Sequence, residues 1–183
     1  MIEPSKGSLL IASPFLKDMH FIRSVVLICE HSSLGSLGIV LNKPFPVMLN
    51  DLVPDLDNIT LPVYIGGPTQ SDRIHFLHQY PDLIGGGEEI MKGVYWGGNY
   101  ANLAVQLAKN TINPNRIKFF MGFSKWEELQ LGREKKEKTW VTTLATKKLI
   151  FSTPPKNIWS EALKTLGGEY QQMIHYPLDP QLN

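Results

Sequence analysis

Six residues of this sequence have side chains or backbone amides that could together bind or react with a ligand. Each of them stands near the end of an apolar run. They are His31, Asn42, Gly66, Gly67, Arg73 and His78, with Pro44 and Pro68 beside them. The backbone amides of the two glycines and the forked guanidinium of Arg73 could bind an anion, and His31 and Asn42 could add hydrogen bonds. If these strand ends converge, they predict a small-ligand or anion site.

The same residues have a second interpretation, as turn structure. Asn42 and His31 would then satisfy backbone groups of turns, the glycines would adopt positive φ angles, and the prolines would end strands. Because Gly, Pro and Asn are first of all turn residues, their types favour this interpretation. Both interpretations stay open at the level of the sequence.

An enzyme is the alternative to a binding protein. Arg73 would bind the anionic group of a small acidic substrate, and His31 or His78 would act as general base. The sequence has no Gly-x-Ser-x-Gly turn, and its single cysteine, Cys29, lies in an apolar run where a buried structural thiol is expected. With no nucleophile motif, we predict no catalytic residue and favour a non-enzymatic protein.

No metal or cofactor site is predicted. The five histidines lack the close spacing of a zinc site, and His75 and His78 would point to opposite faces of a strand. The glycine run at residues 85–87 leads into two glutamates, which would repel a phosphate. We therefore expect neither a nucleotide nor a bound metal.

The composition fits one domain spanning residues 1–183. Eighteen basic and seventeen acidic side chains give a formal net charge of +1, so the total charge favours neither nucleic acid nor a membrane as partner. No apolar run approaches the roughly 20 residues of a transmembrane helix, and the N-terminus is polar. Together with the single cysteine, these features predict a cytoplasmic protein.

Apolar patterning predicts several β-strands. Residues 21–29 and 37–41 are expected to form a hairpin, and residues 61–65 and 73–79 a second strand pair, in which His78 shares a face with Ile74 and Phe76. Residues 116–124 place Ile117, Phe119, Met121 and Phe123 on one side of a further strand. We infer an α+β domain whose mostly antiparallel strands form a bent sheet covered by a few short helices.

Three helices are predicted. Asn99 is a suitable N-cap for a helix through Lys109, and residues 158–166 form an amphipathic helix that Gly167 and Gly168 end. Ser124 to Glu127 fits a capping box that would open a third helix running into the charged segment at residues 132–138. The alternating charges of that segment are typical of a solvated helix face.

A longer series of residues follows in a fixed order and covers nearly the whole chain. It comprises Gly7 to Pro14, Gly38 to Pro44, Gly66-Gly67-Pro68, Gly122-Phe123-Ser124, Trp126, Gln130-Leu131, Glu134 and Trp140. In this order and spacing the sequence resembles the YqgE/AlgH family of bacterial proteins (UPF0301, DUF179), which is of unknown function and sometimes labelled as transcriptional regulators. The resemblance implies a bifurcated sheet folded into a pseudo-barrel.

These observations predict a non-enzymatic regulatory or binding module that acts through a protein partner or a small anionic ligand. The sequence contains no helix-turn-helix with a basic recognition helix, so we do not expect direct nucleic-acid binding. No membrane partner is expected either. Strands rich in Ile and Val could leave an exposed sheet edge, through which the protein would form a homodimer.

Overall fold

Ten strands carry the architecture of this chain, for which a computed structural model describes residues 2–56 and 58–177. In chain order they are β1 (Ser8–Ala12), β2 (Val25–Ser32), β3 (Gly35–Val40), β4 (Pro44–Met48), β5 (Pro62–Ile65), β6 (Thr69–His78), β7 (Glu88–Met91), β8 (Val94–Trp96), β9 (Ile117–Glu127) and β10 (Trp140–Leu144).

The strands form one mostly antiparallel sheet that branches at β9. Along the order β10-β1-β2-β3-β9-β6-β8-β7 every neighbouring pair is antiparallel. β5 pairs in parallel with residues 119–121 of β9 and carries β4 on its other side. β5 and β6 both pair with residues 119–121 of β9 and therefore lie on its opposite edges. β3, which pairs with residues 124–127, also lies on the edge away from β6 and so shares it with β5. The α+β class and the bifurcated sheet are thus confirmed.

Between β5 and β6 the chain crosses over β9 at Gly122. Gly66 donates its N–H to the carbonyl of Met121 at 2.7 Å, and β6 then begins at Thr69 on the opposite edge. A Cβ atom on Gly122 would lie 2.5 Å from the carbonyl oxygen of Gly67, and one on Gly66 would lie 2.2 Å from that of Gly122. Glycine is required on both segments, the β5–β6 connection and β9, because their backbones are in contact here.

The sheet curls until β7 meets the beginning of β1. Lys6 and Glu88 form an ion pair, and a Cβ atom on Gly7 would lie 2.8 Å from the carbonyl oxygen of Ile90. In the described part of the chain β7 and β1 nevertheless share no strand pairing. The sheet is therefore a pseudo-barrel that curls without closing.

Within the described residues, six short helices, three 3₁₀ turns and one π-helical turn cover the sheet. The helices are α1 (Leu49–Leu52), α2 (Pro81–Ile84), α3 (Tyr100–Ala108), α4 (Gln130–Lys136), α5 (Pro155–Lys164) and α6 (Glu169–Gln172). Residues Pro54–Leu56, Pro114–Arg116 and Met173–His175 form 3₁₀ turns, and Lys148–Ser152 forms a π-helical turn.

Helix α5 fills the space that the curled sheet encloses. Its buried residues Ile158, Ala162 and Leu163 join one apolar cluster with residues of β1, β2, β3 and β9. Trp159 adds a hydrogen bond, since its Nε1 donates to the carbonyl of Ala12 at 2.8 Å. The outer faces carry separate clusters under α3 and α4.

The strand predictions are largely confirmed, with one change in pairing. The hairpin of β2 and β3 is present, although β2 begins at Val25 because Phe21 and Ser24 belong to a turn. The predicted strands at residues 61–65 and 73–79 are also present as β5 and β6. Their predicted pairing with each other is wrong, because each pairs with β9 instead.

The helix predictions are confirmed except for the capping box at Ser124. Asn99 caps α3, since its side chain accepts from the N–H of Asn102 at 3.0 Å, and α5 lies at the predicted last helix. At the capping box the helix prediction is wrong, because β3 extends β9 as a strand through Glu127. The helix α4 begins only at Gln130, after Leu129 turns the chain with a φ of 61°.

Candidate functional site

His31 lies near the tip of the β2–β3 hairpin with its side chain exposed. Its Nδ1 is 2.7 Å from the Oγ of Ser36, the residue opposite it in the strand pair. It lines an open groove of about 550 Å³ with charged neighbours that include Lys6, Glu88 and Lys125. None of the other predicted site residues lines this groove.

Asn42 uses both ends of its amide to close a turn. Its Oδ1 accepts from the N–H of Val25 at 2.9 Å, and its Nδ2 donates to the carbonyl of Arg23 at 2.9 Å. These bonds join the end of β3 to the start of β2. This is the turn role that the sequence left open for Asn42.

Gly66 and Gly67 form the crossing over β9 described above. The N–H of Gly66 is already bonded to β9, and its carbonyl accepts from the N–H of Val40 at 2.8 Å and from the Oγ of Ser124 at 3.2 Å. Close contact between backbones accounts for these two glycines. The amide of Gly66 is therefore engaged within the fold rather than turned toward an anion.

Arg73 and His78 lie on β6, away from that crossing. Arg73 is exposed, whereas His78 is fully buried. The Nε2 of His78 donates to the carbonyl of Gly97 at 2.8 Å and its Nδ1 accepts from the N–H of Tyr80 at 3.0 Å. Burial lowers the pKa of His78 and outweighs the bond to Gly97. Its imidazole is thus neutral and hydrogen-bonded at both nitrogens.

The structure therefore brings Asn42, Gly66 and Gly67 to one corner of the sheet, where the ends of β3 and β5 meet β9. The carbonyl of Lys43 accepts from the N–H of Ile65 at 2.7 Å and ties the two strand ends together. His31, Arg73 and His78 lie elsewhere. Four cavities among the described residues each contain at most one of the six, His31 in one and Gly67 in another.

The corner itself holds an apolar cleft of about 420 Å³, which we call the corner cleft. Its walls are Met19, His20, Phe21, Val40, Lys43, Phe45, Ile65, Gly67, Pro68, Ser71 and Met121. The side chain of Met19 is 82% exposed and that of Ile65 40% exposed. The cleft is thus lined mainly by apolar residues, several of which still contact solvent.

Lys43 is the polar anchor of the corner cleft. Its Nζ donates to the carbonyl of Ile22 at 2.5 Å, and burial lowers the pKa of its amine. No carboxylate pairs with it among residues 2–56 and 58–177. An ammonium has three N–H donors, so Lys43 keeps donors for a bound group.

Phe21 connects the corner cleft to an aromatic cluster behind it. Its ring centroid lies 6.1 Å from that of Trp126 and 5.5 Å from that of Trp140. Both indoles donate to Oε2 of Glu134, at 2.9 and 2.7 Å, and Gln130 donates to its other oxygen at 2.8 Å. This network fixes β9, β10 and α4 to one another and so positions one wall of the cleft.

Sequence reasoning located part of this corner and missed the rest. Asn42, Gly67 and Pro68 were singled out, and Lys43 stands between Asn42 and Pro44. Met19, Phe45 and Met121 were missed, because they come from three separate segments that only the chain crossing brings together. Periodicity within one segment carries no signal for such a contact.

Other kinds of site find little support in the described chain. No group of three or more metal-ligating side chains occurs among those residues. No described helix has the length and apolar character needed to span a membrane.

Comparison with known proteins shows that the sequence is similar to those of one protein family. A family model described as AlgH-like, DUF179, matches residues 9–171. A UPF0301 protein of Chlorobium luteolum is 41% identical over 177 residues, covering 97% of this chain and 94% of that protein. One of Bacteroides thetaiotaomicron is 36% identical over 181 residues, covering 98% and 92%.

Two solved structures share the fold. The solution structure of the AlgH protein from Pseudomonas aeruginosa has a TM-score of 0.74 and 26% identity, covering 97% of this chain and 98% of that one. A crystal structure from Corynebacterium diphtheriae has a TM-score of 0.79 at 19% identity, covering 96% and 94%. With its branched sheet and with a family model spanning most of its length, the chain belongs to the AlgH-like family.

Proposed function

We propose that this protein is a non-enzymatic binding module whose corner cleft takes an apolar segment of a protein partner. The observation that carries the proposal is the cleft itself, in which Met19 and Ile65 remain exposed beside buried apolar walls. Methionine side chains such as Met19 and Met121 adapt readily to different apolar surfaces. An apolar segment would remove these side chains from water.

Side chains rather than added strand pairing would hold the partner. The strand β4 contributes Phe45 to the cleft and pairs only with β5, so its other edge is unpaired within the described chain. Pro44 and Pro46 have no N–H to donate, which makes that edge a poor template for an incoming strand. Docking of apolar side chains into the cleft is the mode that remains.

Lys43 would provide the polar contact with the partner segment. Its remaining N–H donors lie at the wall of an apolar cleft, where a carboxylate of the partner would form a charge-assisted hydrogen bond. The partner segment would then combine an apolar anchor with an acidic side chain or a terminal carboxylate. This extends the expectation of an anionic ligand from a small molecule to a peptide.

The geometry gives less support to the enzyme alternative. Arg73 is exposed on β6, His31 lies at the hairpin tip, and both nitrogens of His78 are hydrogen-bonded within the fold. A general base must reach the proton that it removes from the substrate. To bring Arg73 and a histidine to one substrate, the strands would have to rearrange. The binding function needs no such change.

A regulatory role is part of the proposal, including control of transcription through a partner rather than by contact with nucleic acid. The family resemblance supports regulation, and the near balance of charge supports an indirect route. We also propose a cytoplasmic location. Cys29 supports it, because this free thiol is buried and burial raises its pKa, as expected for an unreactive structural cysteine in a reducing compartment.

Selection of short displayed peptides on the wild-type protein tests the binding function. Peptides retained by the wild type would be measured against Ile65→Asp, Lys43→Gln and the control Val105→Asp, which changes an exposed apolar residue of α3. We expect Ile65→Asp to weaken binding by about tenfold or more, since it removes apolar contact and introduces a charge. Lys43→Gln should weaken only the peptides that carry a carboxylate.

Two results would overturn the proposal. One is a set of peptides that bind Ile65→Asp as well as the wild type, which would place the binding surface elsewhere. The other is failure of the wild type to retain any peptide above the background of an unrelated protein. Thermal melting of each variant would establish that it is folded before its affinity is compared.

A further inference from the structure

Lys118 is a buried amine for which the binding function has no use. It lies on β9 and is only 7% exposed. Its Nζ donates to the carbonyl of Leu41 at 2.8 Å and to that of Ile150 at 3.3 Å. No carboxylate of residues 2–56 or 58–177 pairs with it. A buried lysine without an acidic partner is unusual, because burial of an unpaired charge is costly.

Lys118 is also one of the residues that line a cavity separate from the corner cleft. This cavity has a volume of about 270 Å³, and its walls include Pro62, Tyr64, Phe151, Pro154 and Pro155. At ~30 Å³ for each water of the liquid, that volume corresponds to about nine water molecules. The cavity is therefore large enough for a small organic molecule.

Two features hold the amine at the cavity wall. The Nζ of Lys118 lies 4.1 Å from the ring centroid of Tyr64. The π-helical turn at Lys148–Ser152 supplies the carbonyl of Ile150 from the opposite side, and such turns are common at functional sites. The amine is thus positioned by an aromatic ring and two backbone carbonyls rather than by an ion pair.

This surrounding makes a large fraction of the Lys118 amine neutral at physiological pH. Burial lowers the pKa of Lys118 to about 7. A neutral amine can still donate to both carbonyls and keeps a lone pair. The only other titratable group among the described residues of the cavity wall is the phenol of Tyr64, whose pKa burial raises, so it stays uncharged. Lysines desolvated in this way act as nucleophiles toward carbonyl groups.

We propose that Lys118 is a carbonyl-reactive amine that forms an imine with a small neutral aldehyde bound in this cavity. The lone pair of Nζ attacks the carbonyl carbon, the C=O π bond breaks, and the proton that the nitrogen then releases goes to the carbonyl oxygen to give a carbinolamine. Loss of the hydroxyl group as water and of the nitrogen proton then forms the C=N bond. The overall exchange is amine plus aldehyde for imine plus water, and it needs no oxidant or reductant.

The walls of the cavity define the class of aldehyde. Apart from Lys118 they present no basic side chain among the described residues, so they offer nothing to pair with an acidic substituent. Proline and aromatic faces instead favour an aliphatic or aromatic body. A neutral apolar aldehyde fits this lining better than a keto acid does.

Reductive trapping with benzaldehyde and sodium cyanoborohydride tests the proposal on the wild-type protein. Peptide mapping by mass spectrometry would compare the rate of benzylation at Lys118 with that at exposed Lys156 and half-buried Lys43. At pH 7 an amine with a pKa of about 7 has on the order of a thousandfold more neutral form than an ordinary lysine of pKa ~10.4. We expect Lys118 to react about tenfold faster than Lys156 or more.

The pH profile and one variant make the result decisive. The rate at Lys118 should level off above about pH 8, whereas the rate of an ordinary lysine, of pKa ~10.4, should keep rising over this range. Lys118→Arg should abolish the fast site and leave the slow lysines unchanged. Equal rates at Lys118 and Lys156 in the wild type, or no adduct at Lys118, would overturn the proposal without any variant having to fold.

Discussion

At the scale of single residues, two titratable side chains of this protein, half-buried Glu134 and buried Lys118, are held by neutral hydrogen-bond partners. The carboxylate of Glu134 accepts from two indoles and an amide, and the amine of Lys118 donates to two backbone carbonyls. Hydrogen bonds of this kind offset part of the cost of removing a charge from water. Each residue therefore leads to a measurable effect on stability.

Glu134→Gln should destabilise the fold. The carboxamide has one acceptor oxygen in place of two, so the bonds from Trp126, Trp140 and Gln130 cannot all be kept. We expect a loss of about 1–3 kcal/mol in the free energy of unfolding, measured by denaturant titration. Glu137→Gln, an exposed change at the end of the same helix, is the control and should change it little. Equal effects in both variants would contradict this structural role.

Lys118→Met should alter the pH dependence of stability. Because burial lowers the folded pKa of Lys118 to about 7, the unfolded chain binds more protons between that value and its ordinary pKa of ~10.4. The wild type should therefore gain stability relative to the variant as the pH rises through this window, by about 2 kcal/mol from about pH 7 to about pH 9. Chemical unfolding of both proteins at a series of pH values measures this difference. A difference that does not change with pH would contradict the lowered pKa.

At the scale of elements, the crossing of the β5–β6 connection over β9 is the feature most sensitive to change. Gly122→Ala would place a Cβ atom 2.5 Å from one backbone oxygen and 2.7 Å from another, at a φ of +67°. We expect a loss of at least about 2 kcal/mol in the free energy of unfolding, because neither backbone can move without breaking strand pairs. Gly132→Ala in α4 meets nothing within 4 Å and should be neutral or stabilising. A tolerated Gly122→Ala would show that the crossing is looser than the structure indicates.

The elements also show how far local sequence can be interpreted. Apolar runs and the cap at Asn99 predicted most strands and the helix α3 because those signals act within a few residues. The box at Ser124 failed because pairing with β3 outweighs a local helix signal. The crossing at Gly66 and Gly67 was interpreted as a turn or an anion site because a glycine pattern does not reveal a second chain beneath it.

The candidate sites follow the same rule. Asn42 and Gly67 could be singled out by type, but the partner walls of the corner cleft come from distant segments. No sequence pattern indicated that Lys118 would be buried or belong to a site. Lys118 is buried because the end of β3 and the π-helical turn pack against β9 around its side chain. These elements are distant in sequence, so their contact depends on the whole fold.

At the scale of the whole molecule, the unpaired strand edges differ in how well they resist association. β7 carries Glu88 and Glu89, and β4 carries Pro44 and Pro46, which discourage pairing with another chain. β10 has the sequence Trp-Val-Thr-Thr-Leu, which includes no charge or proline, and its Leu144 is 66% exposed. Because Trp140, Val141 and Thr142 are buried, we propose that a homodimer forms through the exposed end of β10 around Leu144.

Sedimentation equilibrium over a range of concentrations tests this dimer. We expect the wild type to associate and Leu144→Lys to weaken that association by about tenfold or more, because a lysine on an edge strand opposes pairing. Leu34→Lys, at an exposed apolar position beside the β2–β3 turn, should leave it unchanged. A monomer at every concentration, or equal association in both variants, would exclude the β10 edge.

The central place of β9 has a consequence for how a growing chain can fold. β3, β5 and β6 all pair with β9, yet every residue of those three strands is synthesised before residue 117. Until β9 has left the ribosome, the first half of the protein holds strands that lack their common partner and expose apolar surface. Such long sequence separations slow folding and prolong that exposure. The nascent chain is therefore expected to depend on chaperones until its central strand arrives.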